Sequence, residues 1–252
     1  MKNIVTPFIF FVVFLVFCVF LRASVGNEFV FTQLKHDGIW DPYPGISSRI
    51  MGMVKKMTNI PFSVDRKVVT LSDPDLFESS FLVVSGSGAL AFNPEEKKNL
   101  KLFIDRGGLV FFDDTLAEPK GAFSRSVRSI LKDLYPDRSF VSLSSDHPLF
   151  RSFFLLKNGA GRKMSQKYLE GIEVESGLGG ESRTAVVYSG NDLLGSWMRD
   201  NLGQYTYECV PGGEFQRWES LKLTINLIYF SLTGTYKRDA IHQPFIERKL
   251  GT

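Results

Sequence analysis

Hydrophobic residues along this chain alternate between short continuous runs and stretches with a 3.6-residue period. FVFTQL (29–34) is rich in strand formers, and the DGIWDPYPG after it is punctuated as a loop by Gly38, Pro42, Pro44 and Gly45. In ISSRIMGMVKKM the positions Ile46, Ile50, Met53, Val54 and Met57 have helical spacing, and KVVTL offers a short strand. FLVVSGSG (81–88) is a continuous apolar strand entering a turn, a pattern that suits a sheet covered on both faces. The next helix is marked at both ends. Asn93 fits its N-cap, Pro94 its first turn, Glu95 and Glu96 the positive end of its dipole, and Gly107 the left-handed residue after it.

LVFFDD (109–114) predicts another buried strand, SRSVRSILKDLYP an amphipathic helix closed by Pro136, and SFVSL a short strand. The segment 144–182 reads as irregular from its glycines; TAVVYS then predicts a strand, and EFQRWESLKLTINLIYFSLTG the last helix. The order βαβαβαβ predicts an α/β fold: an open, mostly parallel doubly wound sheet with helices on both faces, of flavodoxin or Rossmann type.

The amino terminus departs from this pattern. Lys2 precedes an uncharged apolar run of 14 residues (8–21), followed by RASVGN. That is the length of a secretory signal peptide, whereas a membrane span needs roughly 20 apolar residues. We expect cleavage near Gly26, with a retained inner-membrane anchor over 4–21 as the alternative; Phe17 just before Cys18 argues against lipid attachment. The chain therefore divides into a signal peptide (1–26), a single α/β domain (27–236) and a charged tail (237–252), and the expected location is the periplasm.

Removing 1–26 deletes Lys2 and Arg22, so 30 basic residues become 28 against 27 acidic ones and the net charge falls from +3 to +1. No nucleic-acid footprint remains. Cys209 is then the sole cysteine, which excludes an internal disulfide.

In open α/β sheets, ligands bind beyond the carboxyl ends of the strands. Polar residues gather after four predicted strands: Ser85 and Ser87, Asp113 and Asp114, Asp146 and His147, Asn191 and Asp192. Each also has an ordinary explanation. A carboxylate caps turns, His147 before Pro148 suits a hydrogen-bonded structural role, and SGSG without a P-loop or dinucleotide fingerprint is a tight turn. Asp113, Asp114, Asp146 and His147 would in principle hold one divalent ion, but His36, His147 and His242 are too few for a multi-histidine centre. No GxSxG, HExxH or CxxC occurs. No cofactor is expected.

The blocks FLVVSGSG, LKLFIDRGGLVFFDD, LYPDRSFVSLSSDHPLF, VVYSGNDLLGSW and LTINLIYFSLTG, the last with Asn226, Tyr229 and Thr233, resemble the bacterial domain of unknown function family 4159. The likeness implies a flavodoxin-like domain related in fold to class I glutamine amidotransferases, exported or membrane-anchored, with no established activity. An amidotransferase needs a cysteine at the strand-to-helix elbow; SGSG stands there instead, and departs from the Gly-His of the family pattern. Two readings follow. One is a non-catalytic domain of the cell envelope whose cleft (Ser85, Ser87, Asp113, Asp114, Asp146, His147, Asn191, Asp192) binds a small polar ligand or a partner protein. The other is a hydrolase using Asp113, Asp114 and His147, with or without a metal. Amino-terminal sequencing of the expressed protein should find a chain starting near Asn27; a membrane-bound chain starting at Met1 would replace the signal peptide by an anchor.

Overall fold

A computed structural model describes residues 28–63, 65–175 and 182–233. The expected signal peptide and tail lie outside the described residues. The sheet has seven strands, β1 (Thr32–Leu34), β2 (Lys67–Val69), β3 (Phe81–Gly86), β4 (Leu109–Asp114), β5 (Val141–Ser142), β6 (Glu170–Glu175) and β7 (Ser182–Ser189), in the order β2-β1-β3-β4-β7-β6-β5. β2, β1, β3, β4 and β7 pair in parallel, and β6 runs against both β7 and β5. The architecture is thus α/β with a mixed sheet.

β6 falls where the glycines had suggested irregular chain. Gly171 is there for space: a Cβ on it would stand 2.8 Å from the Leu143 side chain and 3.0 Å from that of Thr184. A glycine inside a strand often marks such a close approach.

Among the described residues four α-helices cover the sheet: α1 (Ile46–Met57), α2 (Pro94–Asp105), α3 (Ala122–Leu134) and α4 (Gly213–Thr233). α2 opens with the expected cap. The Asn93 side chain accepts from Glu96 N and the Glu96 carboxylate accepts from Asn93 N, both at 2.9 Å, while Gly107 adopts φ 108° beyond its end.

Side chains alternate across each strand, so Phe111 with Val83 and Val187 packs on one side against Ile50 and Val54 of α1 and Leu223 and Leu227 of α4. Phe112 with Val84 and Tyr188 packs on the other against Leu100 and Ile104 of α2 and Val127 and Leu131 of α3. Each such burial contributes about 1.5–3 kcal/mol. Among the described residues no helix is long and apolar enough to cross a membrane.

The buried Asn226 of α4 has a structural task. Asn226 accepts from Phe153 N (3.2 Å) and Phe154 N (2.7 Å) and donates to Phe154 O (2.9 Å), so it pins the 153–154 turn to the helix. Asn226→Ala strands these backbone groups and should cost roughly 2–4 kcal/mol of unfolding free energy, read by urea denaturation with an unchanged m-value. A cost below ~1 kcal/mol would show that the turn finds other partners.

Candidate functional site

Asp113 and Asp114 end β4, and strand alternation sends them to opposite faces. Asp113 lies on the α1/α4 side and is 0% exposed. Its Oδ1 accepts from Leu193 N at 2.8 Å, its Oδ2 from Leu194 N at 2.9 Å, and the Ser189 hydroxyl adds a third bond. The carboxylate thereby holds down the 3₁₀ turn Leu194–Trp197 that follows β7.

Next to it stands Asp192, also 0% exposed, with its backbone in the left-handed region at φ 53°. Its Oδ1 accepts from Tyr43 Oη at 2.8 Å and Gly195 N at 3.3 Å, and its Oδ2 is bonded to Arg162 Nε. The Arg162 guanidinium lies over the Tyr207 ring, 5.0 Å from its centre. The fit is tight: a Cβ on Gly195 would stand 2.5 Å from Asp192 Oδ2, and one on Gly161 only 2.3 Å from Asn191 O.

Two buried acids adjoin here, and the Arg162 guanidinium pairs with Asp192. Burial raises both carboxyls, and the Asp192 charge raises Asp113 further, to about 8, against the pull of the Leu194 and Leu193 amides. For Asp192, burial is opposed chiefly by Arg162 and Tyr43. Tyr43 and Arg162, which complete this cluster, were not among the residues expected from the sequence.

Of the remaining candidates, Ser85 is the register partner of Asp113 on β3 and Asn191 adjoins Asp192, whereas Asp114 and His147 are placed elsewhere. Asp114, on the α2/α3 side, accepts from Leu116 N (3.1 Å) and Tyr188 Oη (3.2 Å), and burial raises its pKa. Asn191 binds Gln166 through N–H and C=O (2.9 and 2.7 Å), an internal clamp on the 165–166 loop. Ser85 is buried with its hydroxyl donating to Trp40 O at 3.2 Å; Ser87 is half-buried just past β3.

Asp146 reaches outward, ion-paired to buried Arg151 at 2.8 Å. His147 is displaced furthest. Its Nδ1 accepts from Leu149 N (3.2 Å), its Nε2 bonds Thr184 Oγ1 (2.8 Å), and its ring packs 5.4 Å from that of Phe230. Thr184 precedes Ser189, the register partner of Asp113, by five residues on β7, or about 16 Å of strand. The imidazole therefore sits near the opposite edge of the sheet, out of reach of both aspartates.

The histidine at the carboxyl edge is His36. Its Nε2 donates to Ser85 O (3.0 Å), its Nδ1 accepts from Gly38 N (3.1 Å), and burial lowers its pKa, so it is a neutral tether between β1 and the end of β3. Its place just after the FVFTQL strand was the signal available in the sequence. Cys209 is buried, its thiol pushed up by burial and 3.9 Å from Ser196 Oγ. Among the described residues no group of three His, Cys, Asp or Glu side chains gathers to hold a metal ion.

Among the concavities on the surface of the described residues, a pair is relevant to binding. One, of about 420 Å³, lies between α1 and the 197–205 segment, with Arg49, Lys56 and Arg199 around Met53, Trp197 and Tyr205. The other, of about 580 Å³, lies at the start of α4.

The raised carboxyl has a pH signature. Asp113 ionises higher in the folded chain than in the unfolded one, near 4, so its stabilising proton is fully present below that value and is lost as pH rises through about 8. His36 acts with the opposite sign, but only below about 6.5. Unfolding free energy should therefore fall by roughly 1 kcal/mol between pH 7 and 8.5, and Asp113→Asn should flatten that slope. An identical slope in the variant would assign it to other groups.

A family model described as a domain of unknown function (DUF4159) matches residues 30–232. No curated protein matches the chain. The match spans the whole sheet and all but the last residue of α4, so the chain belongs to the DUF4159 family.

Proposed function

We propose that this protein is a non-catalytic binding or scaffold domain of the bacterial cell envelope, exported by its amino-terminal segment, on a flavodoxin-like frame related to class I glutamine amidotransferases. The observation that carries this reading is the closure of the strand-end centre: Asp113 and Asp192 are wholly buried and their oxygens bind the chain's own donors. In this kind of sheet that edge is where ligands and reacting groups meet. The order β2-β1-β3-β4-β7 of the parallel strands supports the flavodoxin-like frame, and the antiparallel β6 and β5 extend it.

The elbow after β3 supports the absence of amidotransferase chemistry. A nucleophile needs a base within hydrogen-bond reach, whereas Ser85 faces a backbone carbonyl and His36 has both nitrogens engaged. Against the hydrolase reading counts the bond of His147 to Thr184, five residues or about 16 Å of strand before Ser189, the register partner of Asp113.

The test has two arms. The purified protein, offered glutamine, esters and phosphate esters with and without Mg²⁺, Mn²⁺ or Zn²⁺, should show no turnover that Asp113→Asn or His147→Ala changes. A thermal-shift screen with muropeptides and small polar metabolites should yield at least one ligand that raises Tm, the stabilisation reaching ~2.7 kcal/mol at a hundredfold excess over Kd. Turnover abolished by either substitution would establish the hydrolase instead.

A further inference from the structure

The groove at the start of α4 forms where the 155–167 segment meets the first turn of the helix. Its volume of about 580 Å³ falls within the ~300–1,000 Å³ of small-molecule sites. Leu155, Met164, Pro211 and Phe215 line it. Phe215 is 76% exposed and Leu155 37%. A lone exposed apolar residue needs no explanation, but these border one concavity and make its apolar surface continuous.

The walls are held in place before anything binds. Buried Gln216 donates from Nε2 to Gly161 O (2.7 Å), Val210 O (2.9 Å) and Arg162 O (3.0 Å), and its Oε1 accepts from Gly212 N (2.9 Å). One side chain thus ties three segments together. Behind the groove, Gly159 approaches the Tyr168 backbone so closely that a Cβ would stand 2.8 Å from it. A site fixed in this way loses little freedom when a ligand enters.

Charge sets the kind of ligand. Lys157 and Lys167 stand exposed along the groove, and neither forms an ion pair among the described residues. The acid in the lining, Glu219, is paired with Lys222 at 2.8 Å. The first turn of α4 adds the positive end of its dipole, opposed by Glu214, which is itself paired with Arg217 at 2.8 Å.

We infer that this groove binds an anionic amphiphile, with its apolar body against Leu155, Met164 and Phe215 and a carboxylate or phosphate at Lys157 and Lys167. The inference rests on the reading as a binding domain and supplies its ligand class.

Calorimetric titration of the full chain with decanoate, decyl phosphate and decanol tests it, the first two distinguishing the head group. At least one anion should bind saturably, one per chain, at about tens of micromolar. The double variant Lys157→Glu/Lys167→Glu should weaken the anion roughly tenfold or more and leave decanol unchanged. Phe215→Ala should weaken both. All three side chains are exposed, so an unchanged Tm verifies that the variants fold. No saturable anion binding, or binding equal in every variant, overturns the inference. An envelope ligand bound equally well by these variants would also overturn it while leaving the binding-domain reading standing; turnover by the protein would remove that reading while leaving the groove.

Discussion

Two adjoining buried carboxyl groups, Asp113 and an Asp192 paired with the Arg162 guanidinium, organise the carboxyl edge of this sheet. Asp113 fastens the turn after β7 to the end of β4, and Asp192 joins that turn to Tyr43 ahead of α1 and to Arg162 in the segment before β6. Burying charge is costly, and a buried ion pair often adds little net stability over a well-packed apolar substitute. Removing one partner is another matter, at about 3–5 kcal/mol, because the other charge is left unpaired. The cluster is thus best understood as a device that admits one arrangement of three distant segments. The left-handed backbone at Asp192 and the space reserved by Gly195 and Gly161 are part of the same arrangement.

The edge at which an open α/β sheet ordinarily receives its ligand is filled here by the chain's own tyrosine, arginine and backbone amides. Arg162 belongs to both worlds: its side chain closes the centre, and its carbonyl is one of the anchors of Gln216, which shapes the groove at α4. The concavities between α1 and the 197–205 segment and at the start of α4 have mainly basic rims, although the chain as a whole is close to charge balance. A fold can keep its frame while its chemistry is lost or relocated, so function has to be argued from the site.

Local signals in the sequence were reliable where the cause is local. The box of Asn93 and Glu96, the stop at Gly107 and the continuous apolar runs of β3 and β4 all act within a few residues, and each element formed where its own pattern placed it. β6 was hidden because Gly171, needed for the close approach of Leu143 and Thr184, looks like loop punctuation. The adjacency of Asp113 and Asp114 suggested a pair, although the period-two geometry of a strand sends neighbours to opposite faces.

The sequence by itself determined the α/β class, the two-sided burial of the sheet and the family, because periodicity, caps and ordered motifs are written along the chain. Only the tertiary structure decided which polar residues meet. Tyr43 lies 149 positions from Asp192 and Arg162 lies 30 positions from it, and nothing local couples such residues. His147, which follows a strand end in sequence, is carried back by the chain to Thr184 instead. Convergence of side chains depends on the path of the chain through space, which the order of the elements alone does not specify.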